Sequence, residues 1–477
     1  MTPTLFDTVF DPNNYKELAH SVFDKISEHL SSVVINRSQK TIDWNNPQKE
    51  LAFWQEFLEH GKQEDFVDQI LEHTTHIHNP KYMGHQVAAT APITLLTGML
   101  SNLLNNGMAV YEMGMSPSAI EKIVVDSICS KIGYSQNAAG LLTSGGTLAN
   151  LTALLSARKA KVKHDVWNEG QIHPLGVMVC EEAHYCIDRA AKIMGLGEKG
   201  IIKIPAKKNF SMDVDQLESC FQKATSNGIQ IFAIIGSAPS TATGAYDDLK
   251  AISRFAKEKD LWFHVDGAHG GAAIYSNTYS YLLEGIDESD SVVIDGHKMM
   301  LMPALTTALL FKNQSHAQHT FSQRADYLLN AEEEEEHWIN SGKKTFECTK
   351  TMMCLHWFIL LKCYGEELFE QYVTRQYDLA KTFERMLSKD PEFELATTPQ
   401  SNILCFRFLF EGKASEDLNQ LNWELRQKLL EDGEFYIVQT KLKGIHYLRT
   451  TLMNPYTTSS ELDDLINKIK SIAKTMN

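Results

Sequence analysis

Four short stretches hold residues whose types and spacing could do chemistry. The first is SVVIDGHKMM, an apolar run that ends in Gly296, His297 and Lys298. In open α/β sheets, ligands sit in the crevice at the carboxyl ends of the strands. A lysine there, beside Met299, Met300 and Met302, would be partly desolvated, which lowers its pKa and suits it to form an imine with a carbonyl. The second is LWFHVDGAHGG, where a strand delivers Asp266, and Gly267, Gly270 and Gly271 permit close backbone approach. A buried carboxylate needs a cation or an N–H partner. A protonated pyridine nitrogen would serve; capping the next helix is the plainer alternative. The third is Thr143-Ser144-Gly145-Gly146-Thr147, between an apolar run and a clear helix. Its unpaired N–H groups and dipole make such an end a phosphate site, although Ser, Thr and Gly also start helices that bind nothing. It is neither a Walker A loop nor GxGxxG, so nucleotide binding is not favoured. The fourth is His184, just past the run LGVMVC at the start of a helical segment. Alone, it reads as a structural histidine.

The set says more than any member. A phosphate cradle (Ser144, Gly145, Gly146, Thr147), a flat stacking group (His184), an acid for a ring nitrogen (Asp266) and an imine-forming lysine (Lys298) follow in that order. Together they describe a site for pyridoxal 5′-phosphate. No metal is expected: His73, His76 and His78 lack partner carboxylates at ligand spacing and read as solvated or structural.

The elements that must position these groups are visible in the hydrophobic pattern. From about residue 90 to 345, short apolar runs (LGVMV, IFAIIG, LWFHVD, DSVVID) alternate with helical segments such as TLANLTALLSARKAKV and YDDLKAISRFAKEK. That alternation predicts an α/β fold with a mostly parallel central sheet and helices on both faces. The first 75 or so residues carry helical spacing, as in ELAHSVFDKISEHL. After Lys350 come a helical stretch, the alternating NILCFRFLF and a terminal helix, ELDDLINKIKSIAK. The expected organisation is an N-terminal helical segment (1–85), a large α/β domain (86–348) and a small C-terminal α+β domain (349–477).

Composition bounds the partners. With 477 residues the chain can form two or three domains, and 43% hydrophobic with 22% charged residues is ordinary for a globular protein. Sixty acidic against 45 basic residues give a charge of −15, which argues against nucleic acid or anionic membranes as partners. The start has no basic n-region before an apolar core, so no secretory signal is expected. Tyr82 to Tyr111 carries no Asp, Glu, Lys or Arg, yet Pro92, Asn102, Asn105 and Asn106 make it a poor membrane span; it reads as a buried segment. Eight cysteines without a CxxC pair predict a reduced, cytoplasmic enzyme.

At these residues the chain resembles the group II pyridoxal-phosphate-dependent amino-acid decarboxylases, which include glutamate, aromatic-amino-acid, cysteine-sulfinate and 2,4-diaminobutyrate decarboxylases. The matching pieces are NPKYMGHQ, TSGGTLANL, EEAHYCIDRAA, STATGAYDDL, HVDGAHGG, DGHK and YLRTTLMNP, from about residue 76 to 460. The resemblance implies a type I fold and a homodimer with active sites at the subunit interface. It implies Lys298 as the Schiff-base lysine, with His297 its phosphate-side neighbour and Asp266 on the pyridine nitrogen. Ala268 and His184 would pack on the two ring faces, and Ser144, Gly145, Gly146 and Thr147 would hold the phosphate. Ser240 and Thr241 would bring a hydroxyl near the cofactor. Arg449 would take the substrate carboxylate, with His85 and Gln86 of the GHQ segment on the substrate side.

Three departures stand out. Counting from Tyr327 to Cys348, the position of the glutamate enzymes' loop tyrosine falls on Glu335, inside the run Glu332–Glu336, with His337 and Trp338 just beyond. Either His337 or a Glu supplies the proton to the substrate carbon, or the register slips, or the chemistry turns to transamination, oxidative deamination or carbon–carbon cleavage. His269 replaces an aromatic or small apolar residue, and Thr349-Lys350 replace Gly-Arg. An acidic lid would attract a cationic side chain such as that of 2,4-diaminobutyrate; an acidic substrate would instead use Lys81, Lys350 or the histidines.

Overall fold

The apolar runs in the middle of the chain form a seven-stranded sheet: β1 (Ala139–Thr143), β2 (Leu175–Cys180), β3 (Ile201–Ile204), β4 (Gln230–Ser237), β5 (Trp262–Asp266), β6 (Ser291–Asp295) and β7 (Thr307–Phe311). The structure, a computed structural model, describes residues 4–35, 40–321 and 339–476. Every residue of β2, β5, β6 and β7 is buried. Both faces of the sheet are covered, which is why these strands read as unbroken apolar runs without alternation.

The strand order is β1-β7-β6-β5-β4-β2-β3. All neighbours are parallel except those of β7, which runs antiparallel to both β1 and β6. Register brings the polar strand ends to one edge: Ser237 of β4 lies opposite Asp266 of β5, and Asp295 of β6 lies opposite Thr307 of β7. The helix Gly146–Lys161 packs on this sheet through Ala149, Ala153 and Ala157, all fully buried. Four-residue spacing puts them on one face, and their small side chains let the helix come close, fixing where its first turn points.

The chain divides into two compact units. One comprises Gln86–Ser388 and Leu395–Cys405 and holds the seven-stranded sheet; the other comprises Met1–His85, Lys389–Glu394 and Phe406–Asn477. Later in the chain β8 (Phe393–Leu395), β9 (Ile403–Phe408), β10 (Val438–Leu442) and β11 (Ile445–Thr451) form a second sheet of order β10-β11-β9-β8. The helices Ser415–Asp432 and Ser459–Lys474 belong to the same part of the chain; the second is closed at its start by a capping box of Thr458 and Glu461.

The charge-free stretch is only partly buried, contrary to expectation. Met83, Ala88, Ala89 and Met108 are inside, but in the helix Ile93–Leu104 only Thr94 and Ser101 are. Its apolar side chains are distributed around the helix, so one face can pack inward while the other stays open. No helix among the described residues is long and apolar enough to cross a membrane.

Candidate active site

The carboxyl ends of the strands surround a cavity of about 260 Å³. On one side β1 ends at Thr143, and the chain turns through Ser144 and Gly145 into the helix Gly146–Lys161. Gly145 has φ +110°, a conformation that requires glycine, and it starts the helix without a side-chain cap. A Cβ on Gly146 would stand 3.1 Å from the Asp295 carboxylate, so only glycine lets the helix start approach the end of β6. Ser144, Gly145, Gly146 and Thr147 all line the cavity, and two N–H groups, a hydroxyl pair and a helix dipole suit it to a phosphate.

Opposite, the cavity wall carries His184, Thr241, Asp266, Ala268, His297 and Lys298. Every cofactor residue expected from the sequence is therefore gathered in one place. Asp266 is buried, and its Oδ1 accepts the Ala268 N–H at 3.3 Å while the Cys186 thiol stands 3.9 Å from Oδ2. His184 follows β2 and caps the helix Tyr185–Ile193, its Nδ1 accepting the Cys186 N–H at 3.3 Å. Desolvation keeps its pKa below the ordinary histidine value, although Asp266 and Asp295 pull the other way. His297 bonds the Thr306 carbonyl through Nδ1 at 2.9 Å. The Ser240 hydroxyl donates to the Glu182 carbonyl at 2.9 Å, which leaves Thr241 as the member of that pair lining the cavity.

Lys298 behaves differently from expectation. Met299, Met300 and Met302 are fully buried around it, and burial does push its pKa down. The Asp295 carboxylate, 2.9 Å from Nζ, and the charge of Asp266 outweigh that, so the pKa lies above the ordinary lysine value. The sequence reading missed Asp295 as a site residue, and with it Asn150 and Cys186, which also line the cavity. Asn150 had a signal: it lies one turn after Gly146 and its Nδ2 donates to the Gly146 carbonyl at 2.8 Å.

The expected substrate residues are placed separately. Gln86 lies in the unit that holds the cavity but does not line it; its Nε2 is buried with no hydrogen-bond partner among the described residues. His85 and Arg449 belong to the other unit, where burial and then the charges of Arg449 and Arg426 lower the His85 pKa. Arg449 is a buried residue of β11. Lys350 is committed to Glu121 at 2.5 Å and to the Leu142 carbonyl at 2.6 Å, and Lys81 to Glu434 at 2.5 Å. Both lysines therefore already have a carboxylate partner. His269 is buried, with Nε2 2.8 Å from Asn402 Oδ1. His73 bonds Glu50 at 2.9 Å and stacks on Phe53. Tyr327, the run Glu332–Glu336, His337 and Trp338 lie outside the described residues. A larger cavity, about 650 Å³ and bordered by Arg158, Lys163, His164 and Trp167, opens at the far end of the helix Gly146–Lys161. It lies away from the strand ends that carry the imine-forming set.

Residues 47–409 match the pyridoxal-dependent decarboxylase conserved domain. The chain is 27% identical over 465 residues to an aromatic-L-amino-acid decarboxylase of Bacillus atrophaeus, covering 96% of this chain and 95% of that one. It is 27% identical over 423 residues to an L-2,4-diaminobutyrate decarboxylase of Acinetobacter baumannii, covering 86% and 82%. The crystal structure of mouse CSAD superposes with a TM-score of 0.89 at 22% identity, covering 97% of this chain and 99% of that one. The chain belongs to the pyridoxal-dependent decarboxylase family. Its fold is the type I fold of that family, its cofactor is pyridoxal 5′-phosphate and its reaction class is that of the carboxy-lyases.

The residues present fit the cofactor. A helix start without a side-chain cap, glycines where a Cβ would fill the cradle, a buried carboxylate and a half-buried lysine match its phosphate, its ring nitrogen and its aldehyde in turn. When bound, the cofactor supplies an electron sink for the bond broken at the substrate Cα.

Proposed function

We propose that the protein decarboxylates an L-amino acid to the corresponding amine, with Lys298 forming the imine to the cofactor. The observation that carries this reading is the convergence of Lys298, Asp266, His184 and the Gly146 helix start on one cavity. Asp266 keeps a proton on the ring nitrogen. Neutral His184 and Ala268 hold the ring between them, and the 144–147 turn with Thr241 and His297 fixes the phosphate side. Arg449 holds the substrate α-carboxylate, with His85 and Gln86 beside the substrate; the buried amide of Gln86 supports a ligand-facing role. Because Lys81 and Lys350 are already paired, a neutral or cationic side chain is favoured over an acidic one. The enzyme works as a homodimer with active sites at the interface. Its eight free thiols support a reducing, cytoplasmic setting.

The test is incubation of the cofactor-loaded protein with the common amino acids and 2,4-diaminobutyrate in air, with products identified by mass. An amine lighter by one CO2 is expected. A keto acid or aldehyde as the main product would overturn decarboxylation. Lys298→Ala should lose the imine absorbance and at least about 10³-fold in turnover.

A further inference from the structure

Asp295 is the last residue of β6, three before Lys298, and only 1% exposed. Its two oxygens have separate tasks. Oδ1 accepts the Thr307 hydroxyl at 2.6 Å, which orients the carboxylate from the neighbouring strand β7. Oδ2 faces Lys298 Nζ at 2.9 Å, with His297 Nε2 at 3.6 Å. The third side is closed by Gly146, whose Cα face comes so close that a methyl group would touch both oxygens at 3.1–3.2 Å. The Thr307 hydrogen bond holds the carboxylate facing the lysine. The other titratable groups that act on Lys298 are Asp266 and Cys186, and it in turn bears on His184. His184 is held neutral, so it adds no competing charge.

An ion pair at this distance with its carboxylate buried holds both partners ionised, because removing the lysine's charge leaves a buried carboxylate uncompensated. An imine-forming lysine needs the opposite: a neutral nitrogen with a free lone pair. We propose that Asp295 is the resident charge partner of Lys298, holding it as an ammonium whenever its nitrogen is not covalently engaged and so setting the pH at which it captures an aldehyde. This rests on the reading of Lys298 as the imine-forming lysine. In the capture step the ammonium first gives one proton to solvent. The amine lone pair then forms the carbon–nitrogen bond, and the carbonyl oxygen leaves as water with the two remaining amine protons. Asp295 acts through Lys298 and is a positioning residue.

The experiment has two readouts that do not depend on turnover. The first is the pH dependence of trace acylation at Lys298, read by peptide mass spectrometry, in the cofactor-free wild-type protein and in cofactor-free Asp295→Asn. The wild-type midpoint should lie above the ordinary lysine value of about 10.4. In the variant it should fall by at least about one pH unit, which is roughly tenfold more neutral amine at neutral pH. The second is the rate at which pyridoxal phosphate develops its imine absorbance, which should rise about tenfold in the variant in step with that shift. A wild-type midpoint at or below the ordinary value, or a variant midpoint that does not move, overturns the proposal. The wild-type titration needs no variant, so it stands even where Asp295→Asn fails to fold. Borohydride reduction of the loaded protein separates the two readings: a label on another lysine would remove Lys298 from the mechanism while leaving the titration of its ion pair intact.

Discussion

His264 sits two residues before Asp266 on β5, wholly buried, and joins the strand that carries the acid to the helix that starts the phosphate cradle. The Trp262 indole N–H donates to Ser291 Oγ at 2.9 Å, so the Ser291 hydroxyl proton is free to go to His264 Nδ1 at 2.7 Å. The remaining ring N–H, on Nε2, then donates to Asn150 Oδ1 at 2.7 Å, and Asn150 donates onward to the Gly146 carbonyl. Every donor and acceptor in this chain has one consistent assignment, with the imidazole neutral. Burial pushes the His264 pKa down to about 4. In the unfolded chain it returns to about 6.5. Between those values the unfolded state binds a proton that the folded state does not. Its contribution is thus complete above about pH 6.5 and is lost as the pH falls towards 4. The loss reaches about 2 kcal/mol by pH 5. His264→Gln should cost roughly 1–3 kcal/mol at pH 8 through unpaired Asn150 or Ser291, yet lose less than the wild type on acidification. Urea unfolding at pH 8 and pH 5 checks this, and equal acid losses in the two proteins would sink it.

At the scale of elements, the turn between β1 and the helix Gly146–Lys161 is closed by a residue far along the chain. Glu347 Oε1 accepts hydrogen bonds from Thr143 Oγ (2.9 Å), Ser144 Oγ (2.7 Å) and the Ser144 N–H (3.3 Å). Burial raises the Glu347 pKa, but the Ser144 and Thr143 hydrogen bonds prevail and hold it below the ordinary glutamate value. The group is therefore ionised throughout the neutral range, and it places a negative charge beside the phosphate-binding turn. Glu347→Gln keeps an acceptor for the same donors and removes the charge, so pyridoxal phosphate should bind roughly three- to tenfold more tightly. Since the carboxylate is already ionised well below pH 6, the gain should be the same from pH 6 to pH 9. Titration of the cofactor's absorbance gives the dissociation constants; an unchanged value in the variant would refute the charge argument. Neither Glu347 nor Asp295 was legible in the sequence. The 144–147 turn, His184, Asp266 and Lys298 were, because each is a polar group at the end of a short apolar run, a local pattern. Asp295 read as part of its strand, and its role follows from the approach of Gly146 and Thr307, which only register and strand order supply. For the same reason the sign of the Lys298 shift was missed: desolvation is visible in neighbouring methionines, a counter-charge is not. The parallel α/β architecture followed from alternating runs and helices, whereas the reversed strand β7 between β1 and β6 has no local signature.

At the scale of the molecule, the unit that holds the seven-stranded sheet bears an apolar surface that it does not itself cover. On the helix Ile93–Leu104, Leu96, Leu100 and Leu103 fall at i, i+4 and i+7 and share a face, with Leu104 adjoining. They are 47–69% exposed, a row of leucines that water alone would have to cover. Soluble proteins seldom leave such a patch open unless another surface occupies it. A second copy of the chain is the simplest occupant, since a two-fold axis lets one patch cover its own equivalent. The absence of charge from Tyr82 to Tyr111 fits the same use, because a charged residue there would have to be desolvated on association. Leu96→Asp combined with Leu103→Asp should weaken self-association by on the order of 10–100-fold while leaving the fold intact, because both side chains face outward from their own unit. Sedimentation velocity over a range of concentrations reads the outcome. A wild-type protein that sediments as a monomer at every concentration, or a doubly substituted one that remains as firmly dimeric, would show that this face is covered by something else.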